Sequence, residues 1–513
     1  LKVDKLYIRS SFKNLENVQV DFDENHLMTV IVGRNGSGKS NVLEALVSIF
    51  RNLDLGESPP FYYVITYQLG EKNSGRWEEI TIDADPTRGA LTKQYEITVR
   101  NLKKANDHLE TADDNIATPL SKVSRNKKTG VAQYLPKYLF AYYSGPSDRL
   151  EKYFRKHRTD FYQKLLKNDI NLKGDIRPLF YAKPNHSQFV LLAFFLAEKD
   201  SPERLFICKH LGIESLDSIH FVMRQPSWAK DKSELFWGAS GVVRKFLDAL
   251  YPYAIAPVKV TRKEDTTLTG KNIKNEFFHL FLPDLNSLKD FAKDLTPDEL
   301  FKMLESTLLS EIISEVSIRV KVTNSETALT FRELSEGEQQ LLTILGLLKF
   351  TGGKDSLFLL DEPDTHLNPS WAVKYLEFLR EFVPSHSTSH LLMVTHHPLA
   401  IAELEKGQVQ VMKREDGKIH AAMPIESPRG MGINLILRSD IFGLVTTLDS
   451  ITHETLTRRN QLASKETLSP TEDLELRQKN IELDNLGFSL SSDDPDYMDY
   501  LLSKYHSTPK VPL

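Results

Sequence analysis

Four short stretches of this chain carry residue types whose spacing can do chemistry. The first runs from Val30 to Leu46 and reads Val-Ile-Val-Gly-Arg-Asn-Gly-Ser-Gly-Lys-Ser-Asn-Val-Leu-Glu-Ala-Leu. Its glycines let backbone N–H groups converge on one anion with no Cβ between them. Lys39 and Ser40 complete the spacing G-x-x-x-x-G-K-[ST], in which the lysine bridges the β- and γ-phosphates of a nucleotide and the serine hydroxyl ligates Mg²⁺. The loop from Gly33 through Arg34, Asn35, Gly36, Ser37, Gly38, Lys39 and Ser40 to Asn41 is therefore expected to hold ATP. The second stretch, Leu357 to Pro363, is an apolar run ending in two carboxylates, Asp361 and Glu362. Asp361 is expected to hold the Mg²⁺ through a water, and Glu362, on the opposite face of the strand end, to take the proton of the attacking water. The third, Leu391 to Pro398, is another apolar run that ends in His396 and His397. No further ligand stands at zinc spacing, so one histidine sensing the γ-phosphate is preferred to a metal site. The fourth is Leu334-Ser335-Glu336-Gly337-Glu338-Gln339-Gln340, where Ser335 and Glu338 form a capping box and place a helix N-terminus.

These residues need particular elements beneath them. Val30 to Val32 end a buried strand, and Val42, Leu43, Leu46 and Ile49 continue from Lys39 at helical spacing. Residues 3–9 and 16–22 alternate with period two and predict two strands before the loop. Phe61 to Leu69, Glu78 to Asp83 and Tyr95 to Val99 extend that set, which is expected to be antiparallel. Asn101 to Lys128, with Lys103-Lys104 and Lys127-Lys128, reads as an exposed loop, and Tyr138 to Tyr143 as an aromatic strand entering a Ser144-Gly145-Pro146 turn. From Arg149 to Leu309 the expectation is a mainly helical insert, with one short strand at Phe277 to Leu282. Strand character returns at Ile312 to Val322 and Thr327 to Phe331. The predicted fold is α/β: a mixed β-sheet around the phosphate loop, a helical insert and a C-terminal helical hairpin. The expected divisions are 1–148, an N-terminal lobe; 149–310, the insert; 311–429, a C-terminal lobe; and 430–513, a helical partner-docking region.

Bulk properties set the frame. The chain has 513 residues, 26% charged and 40% hydrophobic, a globular profile. A net charge of −5 excludes a globally basic nucleic-acid binder, and the single Cys208 excludes an intrachain disulfide. No apolar run approaches about 18 residues and no signal-peptide pattern opens the chain, so a cytoplasmic protein without membrane contact is expected. Leu1 in place of Met reads as a trimmed start. The densest basic run, Arg149 to Arg158 with Tyr153, Phe154, Phe161 and Tyr162 interleaved, is either the solvated face of a helix or a DNA or RNA contact.

The four stretches, in this order, resemble the Walker A, signature, Walker B and switch-histidine motifs of ABC-type ATPase heads, and Asn41-Val-Leu-Glu44-Ala45 resembles the SMC, RecF and OLD branch. The resemblance implies a homodimer or higher homo-oligomer in which each ATP lies between one copy's phosphate loop and the other's Ser335, Gly337 and Glu338. His396 aligns with the switch histidine, and Asp364 would sit at the dimer seam. The family's Q-loop residue is left open between Gln68 and the Tyr142–Gly145 turn. About 295 residues separate Lys39 from Ser335, far more than in heads resembling transporter ATPases. OLD-type relatives carry a nuclease with a glutamate and an Asp-x-Asp at strand ends; Ser492 to Asp496 lies in a polar turn instead, so no intrinsic nuclease is expected.

The C-terminal stretch contains Gly430 to Leu444, a helix from about Thr447 to Lys465 and a second one capped by Ser469, Pro470 and Glu472, with a glycine stop at Gly487. The aromatic tail carries Tyr497, Met498, Tyr500, Leu501 and Leu502. This arrangement resembles the PtuA group of restriction-system-associated ATPases in Septu-type and retron-linked anti-phage defence. Members work with a separate HNH-type nuclease, PtuB, and in the retron form with a reverse transcriptase and its nucleic acid. The resemblance implies an ATPase that hydrolyses ATP slowly and gates such a nuclease. The alternative is a RecF-like DNA-repair or chromosome-maintenance clamp with no nuclease partner, in which the hairpin only caps the head.

Overall fold

The computed structural model describes residues 1–71, 75–102, 115–126, 129–167, 177–229, 234–265, 272–323, 325–351, 353 and 355–486. In chain order, β1 (Lys2–Ile8) and β2 (Val18–Asp21) lead to β3 (Met28–Gly33) and helix α1 (Lys39–Leu55). Strands β4 (Tyr63–Gly70), β5 (Trp77–Ala84), β6 (Tyr95–Asn101), β7 (Asn115–Ala117) and β8 (Tyr138–Tyr143) follow, then α2 (Glu151–Leu166), β9 (Leu179–Tyr181), α3 (His186–Leu196) and α4 (Pro202–Lys209). Next come β10 (Ile213–Arg224), α5 (Gly241–Leu250), β11 (Ile255–Asp265), β12 (Asn272–Leu282), α6 (Leu285–Phe291), α7 (Pro297–Leu309), β13 (Ile313–Val322) and β14 (Leu329–Thr330). The head closes with α8 (Glu336–Thr351), β15 (Ser356–Asp361), α9 (Pro369–Phe382), β16 (Ser389–Val394), β17 (Val409–Glu415) and β18 (Lys418–Ala422).

The central sheet has seven strands in the order β18-β17-β3-β16-β15-β8-β9, all neighbours parallel except the β17–β18 hairpin. Every residue of β3, β15 and β16 is buried, as apolar strands covered on both faces require. The order sets β3, β16, β15 and β8 side by side, so the chain segments leaving their C-terminal ends meet along one edge. A second sheet, β2-β1-β4-β5-β6-β7, is antiparallel throughout, as the period-two pattern predicts, and shares a buried core with α1.

The insert departs from the mainly helical expectation. Its helices are present, but β10, β11 and β12 join β13 and β14 in a five-stranded antiparallel sheet, and β12 is far longer than the short strand predicted. The hidden strands are irregular: β10 shifts register against β13 at three places, and β11 is broken between Ile255 and Val258, with Ala256 at φ 47° and Pro257 after it. Each bulge resets the alternation by which a strand is read.

The chain divides into two compact units, 1–426 and 427–513. The second contains α10 (Ile433–Arg438) and the hairpin of α11 (Ser450–Ala463) and α12 (Pro470–Asn485), whose Ser469–Glu472 capping box and first-turn proline form as predicted. The glycine stop at Gly487, the aromatic tail, Ser492 to Asp496 and most of the 101–128 loop lie outside the described residues.

Candidate active site

The phosphate loop leaves β3 at Gly33, where φ is 145° and a Cβ would lie 2.3 Å from the Met412 carbonyl oxygen; only glycine fits. Arg34, Asn35 and Gly36 form an exposed crest, and Ser37, Gly38 and Lys39 are buried. Lys39 Nζ donates to the carbonyls of Gly33 at 2.8 Å and Arg34 at 3.2 Å, which holds the ammonium within the loop. Burial lowers its pKa, opposed by the carboxylates of Glu362 and Asp361.

Register brings the Walker B carboxylates beside this loop. Ser40 Oγ donates to Asp361 Oδ1 at 2.9 Å, while Asp361 Oδ2 is buried with no partner. Burial pushes the Asp361 carboxyl up to about 6, against the Ser40 bond and the Arg149 charge. A hydroxyl and a carboxylate converging with one carboxylate oxygen unspent fit Mg²⁺, which takes few protein oxygens and completes its shell with phosphate and water. Ser37 Oγ is likewise buried and unpartnered. Among the described residues no cluster of three or more His, Cys, Asp or Glu could hold a metal.

Glu362 follows Asp361 in the left-handed region at φ 52°, an unusual conformation for a side chain of this size. Its N–H donates to the Val394 carbonyl at 2.8 Å, and its carbonyl accepts from Thr365 Oγ1 at 2.8 Å. The turn points Glu362 Oε1 toward His396, whose Nδ1 lies 3.4 Å away. His397 turns elsewhere, with its N–H on Thr395 Oγ1 and its Nδ1 buried without a partner. The structure thus joins Glu362 with His396, not His397. Asp364 faces inward, 1% exposed, and its Oδ2 accepts from Thr395 Oγ1 at 2.7 Å. It braces the loop after β15.

The signature segment begins α8. Ser335 and Glu338 close the predicted capping box: the Ser335 N–H and Oγ both bond Glu338 Oε2, at 2.7 and 2.9 Å, and Ser335 Oγ accepts from the Glu338 N–H at 3.3 Å. Ser335 is exposed and Gly337 buried. A Cβ on Gly337 would lie 2.4 Å from the His366 carbonyl oxygen, so this glycine lets α8 touch the segment after Walker B. Gln340, one turn on, accepts from the His366 N–H at 3.3 Å and donates to the Glu362 carbonyl at 3.5 Å. The signature helix is thereby wired to the Glu362 backbone within one chain.

Three contributors take their place beside the loop only through the fold. Asn14 Nδ2 donates to the Gly36 carbonyl at 3.0 Å and its Oδ1 accepts from Asn41 Nδ2 at 2.6 Å, bracing the loop from outside. The turn after β8 lies beside Walker B: Tyr143 pairs with Asp361, the Ser144 N–H donates to the Asp361 carbonyl at 3.3 Å, and Ser144 Oγ meets Thr365 Oγ1 at 3.2 Å. Gln68 instead sits in β4, where it accepts from Trp77 Nε1 at 3.2 Å. Of the two Q-loop candidates, the turn is the one that lies beside Asp361.

Arg149 is the third. It donates to Asn41 Oδ1 at 2.6 Å and reaches Glu44 Oε2 at 3.4 Å. Glu44 is fully buried and also gathers Lys13, Lys152 Nζ at 3.3 Å and the Tyr153 hydroxyl at 2.8 Å. The remaining polar side chains of the basic run pair with carboxylates too: Arg155 with Asp148, Lys156 with Glu57, His157 with Asp54 and Arg158 with Glu151. Phe154 is core. The run is an amphipathic helix clamped to α1, and a phosphate backbone would have to compete with these carboxylates.

Comparison with known proteins agrees with this geometry. A family model described as "AAA ATPase domain" matches residues 2–209, and one described as "AAA domain, putative AbiEii toxin, Type IV TA system" matches residues 267–402. The Septu protein PtuA of Bacillus mycoides (strain KBAB4) is 26% identical over 238 residues, covering 44% of this chain and 32% of that relative. The chain thus matches about a third of the length of this curated relative. Solved structures with similarity include the SMC head domain from Thermotoga maritima, at 13% identity and TM-score 0.32, covering 82% of this chain and 99% of that one. The Pyrococcus furiosus Smc head domain bound to the C-terminal domain of ScpA is 14% identical at TM-score 0.32, covering 82% and 96%. Stu0660 of Streptococcus thermophilus is 11% identical at TM-score 0.27, covering 98% and 100%. The resemblance drawn from the four motifs agrees with these matches in that the chain carries AAA-type ATPase matches and is similar to PtuA.

Proposed function

We propose that this SMC-like head binds and hydrolyses ATP at a seam between two copies, and controls a separate HNH-type nuclease in anti-phage defence of the Septu type. The observation that carries the reading is the Ser40–Asp361 pair with its unspent carboxylate oxygen, set beside Glu362 and His396. Mg²⁺, when bound there, neutralises the β- and γ-phosphate oxygens. Lys39 adds a second positive charge on those oxygens, and the N–H groups from Gly36 to Ser40 cradle them. Glu362 accepts the proton of the attacking water as its oxygen bonds to the γ-phosphorus and the bond to the β-phosphate oxygen breaks, leaving ADP and phosphate. His396, held near Glu362, orients that water. Ser335 and Gly337 complete the partner copy's pocket from the N-terminus of α8, where N–H groups and the helix dipole favour an anion.

The nuclease reading rests on the PtuA similarity and on the C-terminal unit, where Val445, Ile451, Leu474 and Leu486 are exposed apolar residues on or beside a polar helical hairpin. Co-purification of a reverse transcriptase and its nucleic acid would mark the retron form of the system. The test of the core reading is Glu362→Gln in the full chain. The expected result is slowing of hydrolysis by at least about a hundredfold, with ATP retained and the mass by light scattering doubled when MgATP is added. An unchanged mass and an unchanged rate would overturn the reading.

A further inference from the structure

Away from the phosphate loop, a cavity of about 380 Å³ opens between α2, β9, the start of α3 and the end of α7. At its base Arg177, 7% exposed, donates from Nη2 to Glu305 Oε1 at 2.8 Å, and His186 Nε2 meets Glu305 Oε2 at 2.7 Å. His186 Nδ1 accepts the Lys183 backbone N–H at 2.9 Å, so Nε2 is the ring nitrogen turned to Glu305. Both oxygens of Glu305 are therefore spent. Arg177 Nη1 is not: it is buried with no partner, an expensive condition for a guanidinium. The rim repeats the imbalance, because Lys183 Nζ at 2.7 Å and Arg158 at 2.9 Å both converge on Glu151 Oε1, two cations on one oxygen.

Glu305 and Glu151 each hold two donors, the third carboxylate lining the cavity, Glu311, accepts from the Ser227 N–H and hydroxyl at 3.3 and 2.6 Å, and Arg177 keeps an N–H group unspent. What the cavity can take up is an acceptor-rich group, an oxyanion. Its other walls are flat and apolar, formed by Phe154, Tyr162, Tyr181 and Leu308, and its volume suits a ligand of mononucleotide size. We infer that this cavity is a second ligand site of the head, binding a small organic phosphate with an aromatic ring, of which a nucleoside monophosphate is the fitting class. The phosphate is held by Arg177, Lys183 and Arg158, and the ring lies among the aromatic side chains. The site lines one face of α2, whose first turns also carry Lys152 and Tyr153 onto Glu44 of α1.

Binding is measured by titration calorimetry with AMP, GMP, CMP and UMP, using the full-length chain carrying Lys39→Ala so that the phosphate loop does not report. Removing Arg177 would strand Glu305, so the cavity is altered through Lys183→Ala, on its rim, and Leu308→Trp, which fills it. The expected result is that at least one mononucleotide binds the Lys39→Ala protein near one per chain. Each added cavity substitution then weakens binding by about tenfold or more, the loss of a charge-assisted contact or of the space itself. MgATP binding to the chain with an intact phosphate loop stays unchanged by Leu308→Trp, a separate readout for the proposed ATP site. Absence of binding by all four nucleotides, or binding that survives both cavity substitutions, would overturn the inference whatever the outcome at the phosphate loop.

Discussion

Replacing Gly337 by alanine sets two effects of known size against each other. In a helix the change should stabilise, by up to about 1 kcal/mol, because alanine has the higher helix propensity. Here the new Cβ would lie 2.4 Å from the His366 carbonyl oxygen and 3.2 Å from its carbon, and both atoms are backbone. No rotamer relieves the clash. Reaching ordinary contact requires the first turn of α8 and the segment after Walker B to separate by about 1.0–1.6 Å, the difference between 2.4 Å and the 3.4–4 Å range. Overpacking of this kind costs about 1–3 kcal/mol, so the net effect is destabilisation of up to about 2 kcal/mol. The movement would drag Gln340, which bonds both the His366 N–H and the Glu362 carbonyl, and so misplace Glu362, the proposed general base. A displacement of that size costs about tenfold to a hundredfold in turnover. ATP affinity, set at the far side of β16 by the loop after β3, should stay near the unmutated value. Thermal unfolding, calorimetric ATP binding and steady-state phosphate release measure the three quantities. A Gly337→Ala protein with raised stability and undiminished turnover would refute the coupling between α8 and Glu362.

Two further predictions concern the metal pair and the C-terminal unit. Burial raises Asp361 to about 6, and Mg²⁺ needs the carboxylate, so Mg²⁺-dependent ATP affinity should be level above about pH 7 and fall about tenfold per unit below pH 6. Calorimetry from pH 5 to 8 checks it, with Asp361→Asn as control; an equal slope in the control would assign the titration to the nucleotide. Truncation after Leu444 should release a co-expressed HNH-type nuclease in affinity co-purification while ATP binding persists, and a nuclease still bound to the truncated head would remove the docking role from the hairpin.

How much of this was legible in the sequence follows from the range of each interaction. The phosphate loop, the capping boxes at Ser335 and Ser469 and the paired carboxylates after β15 announce themselves within about ten residues, because their chemistry prescribes residue types at fixed spacing. The antiparallel sheet was legible because β4, β5 and β6 keep a period of two along most of their length and β1 regains it after one register shift at Val3–Lys5. The strands of the insert were not, since β10 and β11 contain bulges and β11 carries Lys259, Arg262 and Lys263 where a strand reader sees a loop. Arg149 read as one more member of a basic run because its partners, Asn41 and Glu44, stand more than 100 residues earlier. Likewise the turn at Ser144 gains its place only when β8 pairs with β15, a contact that no local pattern encodes.

The shared pocket can be tested by mixing two inactive proteins. Lys39→Ala disables the phosphate loop, and Ser335→Arg blocks the surface offered to the other copy. If each pocket is built from two copies, an equimolar mixture re-forms intact pockets in mixed pairs, and hydrolysis recovers to about a quarter of the unmutated rate under random pairing. Should the mixture stay as inactive as its components, or should Ser335→Arg alone hydrolyse ATP at the unmutated rate, the nucleotide is handled within a single copy and the account fails.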